Sequence, residues 1–227
     1  TLEPGKPVKG VRQVGILAGN AKNSKIFNCQ VKGDVEGTGA VGGMIGHMEG
    51  STVENGMAQV TVRTTGRAAG AQALAGGIAG EAADDSRIID CQVHTGDNST
   101  SRIQGTDATV GGIVGLQNGA ALYNTYVNGT IGGSGSQNVG GLVGERISGD
   151  LKVGRFEGMI GQSGTGAAGH RGTFIGYRAP ANYFKYGDDI AYLFADTEAK
   201  IANNVCGSGI SDDNQYTYAA HIGYSHA

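Results

Sequence analysis

Residues 110–115 read Val-Gly-Gly-Ile-Val-Gly, and residues 139–144 read Val-Gly-Gly-Leu-Val-Gly. Related six-residue stretches begin at residues 14, 41 and 75, and a diverged one, Arg-Gly-Thr-Phe-Ile-Gly, begins at residue 171. Successive starts are 27 to 35 residues apart. A recurrence at such a period predicts one supersecondary unit stacked on copies of itself. We number the repeats 1 to 6 and call each six-residue stretch the glycine stretch of its repeat.

The composition limits the alternatives. Glycine supplies 43 of 227 residues and proline three, so the chain lacks the proline content of collagen. A hydrophobic fraction of 39% and a small net charge of −3 argue against disorder. The negative net charge also gives little support to a nucleic-acid partner. No apolar run approaches the ~20 residues of a membrane-spanning helix. The three prolines (Pro4, Pro7 and Pro180) lie outside the five well-formed repeats or at their edge, which favours continuous strand pairing.

The second half of each repeat aligns in columns. An apolar anchor follows the start of each glycine stretch by 12 or 13 residues, and in repeat 6 this spacing selects Tyr183. The five other anchors are Ile26, Val53, Ile88, Leu122 and Leu151. Four further columns follow at a spacing of two, which predicts one face of a strand. They are Cys29, Gly56, Cys91, Thr125 and Gly154; Val31, Ala58, Val93, Val127 and Phe156; Gly33, Val60, Thr95, Gly129 and Gly158; and Val35, Val62, Asp97, Ile131 and Ile160.

A short polar residue precedes the first of those four columns. It is Asn28, Asn55, Asp90 or Asn124 in repeats 1 to 4, whereas repeat 5 carries Val153. Asn and Asp at a fixed corner favour a turn with left-handed backbone geometry. Each repeat is therefore predicted to be a strand, a tight turn, a polar corner, a second strand and a loop of free length.

The glycine stretches leave two interpretations open. Their apolar groups could be buried on both faces, or the central ones could form a ladder facing a second layer, with the glycines allowing another backbone to approach closely. Alternatively, the glycines could take a positive φ at a corner. The ladder would consist of Leu17, Met44, Ile78, Ile113, Leu142 and Phe174.

Together these patterns predict an all-β fold, namely a β-solenoid (β-helix-like) of about six rungs at residues 1–177. Glycine pairs would destabilise helical repeats by about 1 kcal/mol per residue. A propeller blade would need about 40–45 residues.

The phrase Val-Gly-Gly-Leu-Val-Gly, followed by an Ile/Leu-x-Asn-x-x-Val-x-Gly-x-Ile tail such as Leu122 to Ile131, resembles the GLUG motif of large secreted and surface-anchored bacterial proteins. Immunoglobulin A-cleaving metallopeptidases and filamentous-haemagglutinin-type adhesins carry that motif. The resemblance covers roughly residues 11–177 and is weakest in repeat 6. It implies a bacterial extracellular setting, either secreted or on the cell surface, and a scaffold role for the repeats.

Residues 178–227 differ from the repeats and are predicted to form an aromatic-rich C-terminal cap or a ligand-binding head. Of the 14 Phe and Tyr residues, ten lie from Phe174 onward. A cap would cover the open end of a solenoid and would include a short helix near Asp196–Ala202. Clustered tyrosines are typical of recognition surfaces. The candidate ligand-binding residues are Tyr183, Tyr186, Tyr192, Tyr216, Tyr218 and Tyr224.

The sequence predicts no catalytic residue, no metal site and no cofactor. His-Glu-x-x-His, the zincin motif, is absent from the chain. Cys29 and Cys91, two repeats apart in one column, would be roughly 10 Å apart and too distant for a disulfide. The pair His221 and His226, and the acidic turn at Asp212 and Asp213, are expected to be solvated. The outward column Lys32, Gln59, His94, Asn128 and Glu157 does not concentrate the carboxylates of a glycan-cleaving enzyme.

We therefore expect a non-catalytic bacterial extracellular interaction module, of the adhesin or virulence-associated kind, that binds a host protein or glycan. Its loops 62–74, 97–109 and 132–138, or its aromatic tail, would provide the contact surface. An outer-membrane export partner fits the same setting. The alternatives are an accessory scaffold domain of a larger secreted peptidase and, with less support, a β-helix enzyme that cleaves glycans.

Overall fold

A computed structural model of the protein describes residues 6–67, 69–96, 102–133, 136–161, 170–178, 190–195 and 200–201. Within these segments the chain is all-β, as predicted, with 22 strands and no helix. The same segments therefore contain no helix long and apolar enough to cross a membrane.

The strands are short and follow one another closely along the chain. Their bounds are β1 (Val8–Val14), β2 (Ala18–Lys22), β3 (Lys25–Phe27), β4 (Gln30–Gly42), β5 (Ile45–Glu49), β6 (Thr52–Glu54), β7 (Met57–Thr64), β8 (Leu74–Gly76), β9 (Ala79–Ala83), β10 (Arg87–Ile89), β11 (Gln92–His94), β12 (Ile103–Gly105), β13 (Thr109–Gly111), β14 (Val114–Asn118), β15 (Ala121–Ile131), β16 (Asn138–Gly140), β17 (Val143–Ser148), β18 (Leu151–Ile160), β19 (Arg171–Gly172), β20 (Ile175–Arg178), β21 (Ile190–Ala195) and β22 (Lys200–Ile201).

These strands form two parallel sheets. The six-stranded sheet has the order β2-β5-β9-β14-β17-β20, so each repeat contributes one strand in sequence order. The other 16 strands form a second sheet in which β4 pairs with β1, β7 and β8, and β15 pairs with β10, β11, β12 and β18. Strands of successive repeats are therefore neighbours, and the residues that align in the sequence become partners across the sheet.

The register confirms most of the predicted columns. Val31 pairs with Ala58, Ala58 with Val93, and Val93 with Val127. The anchor column pairs in the same way, from Ile26 through Val53, Ile88 and Leu122 to Leu151. From Val53 onward these anchors are fully buried. The period-two alternation thus identified the side chains that form the core.

Two column assignments were wrong. In repeat 3 the position given to Asp97 belongs to Ile103, which pairs with both Val62 and Ile131. Asp97 lies outside the described residues, and the longer connection moves the strand position to β12. In repeat 6 the partner of Leu151 is Ile190, so the 12-residue spacing that selected Tyr183 does not hold there.

The C-terminal boundary drawn at residue 178 stays a prediction. Strands β21 and β22 pair with β18, which extends the larger sheet to Ile201. Lys200 and Ile201 are in a strand, so the helix predicted near Asp196–Ala202 is wrong at these two residues.

The glycine stretches form the predicted ladder. The backbone N–H of Ile78 donates to the carbonyl of Ile113 at 2.9 Å, and that of Ile113 donates to Leu142 at 2.8 Å. None of the paired glycines in stretches 2 to 5 has a positive φ. A Cβ added to Gly112 would instead overlap the carbonyl oxygen of Gly141 and lie 2.8 Å from a methyl group of Val127. Close backbone approach, the first of the two interpretations, is therefore correct.

The polar corners adopt the left-handed geometry predicted for them. The φ angles are 52° at Asn28, 53° at Asn55, 52° at Asp90 and 49° at Asn124. Amide hydrogen bonds join neighbouring corners, from Asn55 Nδ2 to Asn28 Oδ1 at 2.6 Å and from Asn124 Nδ2 to Asp90 Oδ1 at 2.5 Å. Val153 has a φ of 56°, although a β-branched residue is strained there.

Candidate functional site

Strands β11, β15 and β18 present a polar face to solvent. Alternation buries Val93, Val127 and Phe156 and turns their neighbours outward. Two outward columns result, and the register places Gln92, Tyr126 and Arg155 in one and His94, Asn128 and Glu157 in the other. We call His94, Tyr126, Asn128, Arg155 and Glu157 the polar cluster.

Glu157 is the centre of the polar cluster. Tyr126 donates its hydroxyl hydrogen to Glu157 Oε2 at 2.6 Å, and Asn128 Nδ2 donates to Tyr126 Oη at 3.1 Å and to Glu157 Oε2 at 3.4 Å. Arg155 forms an ion pair with the other oxygen, Glu157 Oε1. Burial, and then the hydrogen bond to Glu157, raise the pKa of Tyr126. The phenol therefore stays protonated at neutral pH and remains a donor.

Two ring contacts hold Tyr126 in place. The imidazole of His94 packs edge-on against its ring with the centroids 5.5 Å apart. The guanidinium of Arg155 lies 5.8 Å from the ring centroid, within the range of a cation–π contact. Neighbours on both sides of the ring therefore restrict the conformations open to Tyr126.

A second group lies at the start of β15 and β18, N-terminal to the polar cluster. Tyr123 donates its hydroxyl hydrogen to Asp150 Oδ2, and Lys152 Nζ lies 3.4 Å from the same oxygen. The hydrogen bond to Asp150, followed by burial, raises the pKa of Tyr123. Both groups therefore combine a tyrosine, a carboxylate and a cation, and neither has an excess of charge.

Two concavities lie elsewhere on the described surface. One, of about 380 Å³, has Ala40, Leu74 and Leu116 among its lining residues, together with Arg12 and Glu81. Gly70, Ala71 and Gln72, from the predicted loop 62–74, also line it. Beside it, His47 Nδ1 and Glu81 Oε2 are 3.0 Å apart.

The other concavity, of about 210 Å³, borders the polar corners and is lined by Asn28, Cys29, Asn55 and Asp90 among others. Cys29 is half-buried, and Cys91 is fully buried in the core. Burial raises the pKa of the Cys91 thiol to about 11. Cys91 therefore has the properties of a packing residue.

Most sequence-predicted site residues lie outside the described residues. These are Tyr183, Tyr186, Tyr216, Tyr218 and Tyr224, together with His221, His226, Asp212 and Asp213. Tyr192 belongs to β21, whose backbone continues the larger sheet. In the described part of the chain, no group of three His, Cys, Asp or Glu residues is placed to hold a metal ion.

Sequence reasoning missed the polar cluster because it examined only one outward column. His94, Asn128 and Glu157 were identified there, but Tyr126 and Arg155 belong to the neighbouring column. The alternation that assigned Thr125 and Val127 to the core also places Tyr126 outward. Tabulating both outward columns would have shown a tyrosine beside an arginine.

Comparisons of the chain with protein-family models, with curated proteins and with solved structures found no match. The resemblance to GLUG repeats therefore remains a prediction that depends on the residues alone.

Proposed function

We propose that this chain is a non-catalytic interaction module, secreted or displayed on a bacterial cell surface, that binds a neutral host glycan through the polar cluster. Its parallel, in-register repeats would form a β-solenoid, and the motif resemblance favours a GLUG-type adhesin or related virulence-associated protein. The observation that carries the proposal is the network of Tyr126, Asn128, Arg155 and Glu157 on a solvent-facing strand surface.

The chemistry of the polar cluster matches a polyhydroxylated ligand. A sugar hydroxyl donates one hydrogen bond and accepts others, so it needs donors and acceptors side by side. Asn128 and Arg155 supply N–H donors, and Glu157 supplies acceptor oxygens. Because Arg155 and Glu157 balance each other in charge, the cluster favours a neutral ligand over an ionic one.

The arrangement on parallel strands suits an extended ligand. Neighbouring strands are about 4.8 Å apart, so polar groups recur at that interval along the direction of stacking. The second group, Tyr123 with Asp150 and Lys152, offers similar chemistry on the same strands. A chain of sugar units could contact both groups, and several weak contacts would add to a useful affinity.

A neutral-oligosaccharide array, followed by calorimetric titration of the best ligand, tests the proposal. Asn128→Ala should weaken binding about tenfold, since it removes donors to the ligand and to Glu157. Gln59→Ala is the matched control, because Gln59 lies in the same column two repeats away. It should leave the affinity unchanged.

Three results would contradict the proposal. Equal loss of affinity in Asn128→Ala and Gln59→Ala would show that the binding surface is not centred on the polar cluster. An array on which no glycan is bound would contradict the proposal that the ligand is a neutral glycan. Release of new reducing ends from a bound glycan would contradict the non-catalytic assignment.

A further inference from the structure

The residues that flank each glycine stretch form two neighbouring columns across the successive repeats. The residue before the stretch pairs with its counterpart in the next repeat, as Gln13 does with Ala40. The residue after the stretch pairs in the same way, as Glu81 does with Leu116. A hydrogen bond joins the two columns in repeat 1, where Asn20 Nδ2 donates to Gln13 Oε1 at 3.1 Å. We call these two columns the flanking columns.

Three members of the flanking columns are apolar and pack together outside the main core. Ala40, Leu74 and Leu116 form a separate buried cluster, against which Ile147 packs. In repeats 1 and 5 the same columns carry the polar residues Gln13, Asn20, Asn138 and Glu145. The stacking of the repeats therefore does not require apolar side chains at these positions.

The larger concavity, of about 380 Å³, has this apolar cluster in its lining. Residues 70–72, from the connection that precedes β8, form another part of the lining. The polar lining residues are Arg12, Gln13, Gln72 and Glu81. Small-ligand sites have volumes of roughly 300–1,000 Å³ and combine an apolar lining with a few polar groups. The size and lining of the concavity therefore fit a small ligand with an apolar body.

Arg12 occupies a backbone geometry that favours glycine. Its φ is 76°, and its partner in β4, Gly39, has a φ of 78°. A Cβ added to Gly39 would lie 2.5 Å from the carbonyl oxygen of Arg12, so repeat 2 requires glycine here. Repeat 1 instead holds an arginine, although a side chain is strained at such a φ. Strained residues concentrate at ligand sites, and Arg12 lines the larger concavity.

The polar lining groups favour a carboxylate on the ligand. Arg12 supplies a guanidinium with several N–H donors, and the amides of Gln13 and Gln72 supply further donors. Glu81 is the acidic lining residue, and its Oε2 is 3.0 Å from His47 Nδ1. Because a protonated His47 balances Glu81, the guanidinium of Arg12 remains to pair with an anion. Guanidinium groups form strong hydrogen bonds with carboxylates.

We propose that the larger concavity binds a small ligand that combines an apolar body with one carboxylate. The apolar body would lie against Leu74 and Leu116, and the carboxylate would accept hydrogen bonds from Arg12. A free apolar carboxylic acid and the C-terminal residue of a peptide share this chemistry. The site lies beside the glycine stretches and away from the polar cluster, so it does not depend on the proposed glycan binding.

Calorimetric titration of the full chain tests the proposal and separates the two sources of the carboxylate. Hexanoate is the first probe, and hexanamide, which keeps the apolar body without the charge, is its control. We expect hexanoate to bind with a Kd below about 1 mM, and hexanamide to bind about tenfold more weakly. The second probe is N-acetyl-glycyl-leucine with a free terminal carboxylate, and its C-terminal amide is the control. Tighter binding of the peptide acid than of hexanoate would identify a peptide C-terminus as the ligand, and the reverse order a free acid.

Arg12→Gln should weaken the binding of hexanoate about tenfold, since it removes the positive charge. Arg63→Gln is the matched control, because Arg63 is also an exposed arginine but does not line the concavity. Ala71→Asp should weaken binding more than Ala71→Asn, because the two side chains have nearly the same size and only the carboxylate repels the ligand. A far-ultraviolet circular dichroism spectrum of each variant verifies that the sheets are intact.

Arg12→Gly separates ligand binding from a structural role of Arg12. It should weaken the binding of hexanoate without lowering the melting temperature, because glycine adopts the positive φ without strain. A lower melting temperature together with unchanged binding would show that Arg12 is structural and would overturn the proposal.

Four other results would also overturn the proposal. They are no detectable binding of either acid, equal affinity for each acid and its amide, equal loss in Arg12→Gln and Arg63→Gln, and equal affinity in Ala71→Asp and Ala71→Asn.

Discussion

The glycine stretches and the outward faces of β11, β15 and β18 belong to the same repeats but tolerate very different side chains. At Gly77, Gly112 and Gly141 a single added methyl group would overlap a backbone carbonyl of the next repeat. On the outward face, the column of Gln59, His94, Asn128 and Glu157 accepts an amide, an imidazole and a carboxylate in turn. The glycine stretch therefore sets how the repeats stack, whereas the outward face of the second half is free to acquire a function.

Replacing Gly112 tests the glycine stretch and should have the largest effect on the free energy of unfolding. In Gly112→Ala the new Cβ would overlap the carbonyl oxygen of Gly141, and backbone atoms cannot rotate away. We expect a loss of about 3 kcal/mol or more in the free energy of unfolding, at the upper end of overpacking effects. Urea denaturation followed by circular dichroism measures it.

Gln59→Ala provides the contrast on the outward face. It should change the free energy of unfolding by less than about 0.5 kcal/mol, as surface substitutions usually do. Equal stability of Gly112→Ala and Gln59→Ala would refute the account of close approach at the glycine stretches.

The polar corners provide an intermediate test. At Val153 a β-branched residue occupies left-handed geometry, whereas the equivalent residues of repeats 1 to 4 are Asn or Asp. Val153→Asn should stabilise the protein by about 1 kcal/mol, because Asn tolerates this region better. The introduced amide would also lie next to Asn124 and could extend the row of corner amides.

The reverse exchange sharpens the same comparison. Asn124→Val should destabilise the protein by about 1–2 kcal/mol, since it adds strain and removes the hydrogen bond to Asp90. Thermal or urea unfolding of both variants beside the wild type gives the two values. A gain in the free energy of unfolding for Val153→Asn and a loss for Asn124→Val would support the left-handed corner geometry. A loss of stability in both variants would count against it.

Much of the fold could be predicted because the repeats reveal period-two columns. Val31, Ala58, Val93 and Val127 pair as those columns require. The assignment of residues to columns failed in the two repeats where a connecting loop is longer than in the others. Ile103 takes the position assigned to Asp97, and Ile190 takes the one assigned to Tyr183, because an unpaired connection can lengthen without changing the pattern on either side.

The candidate site was less predictable than the fold. His94, Asn128 and Glu157 could be placed on one outward column, but a column gives no information about hydrogen bonds across strands. The links from Tyr126 to Glu157 and from Arg155 to Glu157 depend on side-chain conformations that the spacing does not encode. The predicted tyrosines of the tail stay a prediction.

The last prediction concerns the pH dependence of stability at His47, which lies on the six-stranded sheet, next to a glycine stretch. The hydrogen bond to Glu81 raises the pKa of His47, burial opposes the shift, and the charges of Glu81, Glu49 and Asp84 add to it. The pair therefore stabilises the fold fully below the histidine's unfolded pKa of about 6.5. That contribution is lost as the pH rises through the higher folded pKa.

His47→Gln should remove up to about 1 kcal/mol at pH 5.5 and less at pH 8.5, where the contribution of the charged imidazole has declined. Glu81→Gln should reduce the same pH dependence while keeping the histidine, since only the weaker effects of Glu49 and Asp84 remain. Urea unfolding at the two pH values measures both variants. A His47→Gln effect that is equal at both pH values would mean that packing alone, without the charge of Glu81, accounts for the contribution of His47.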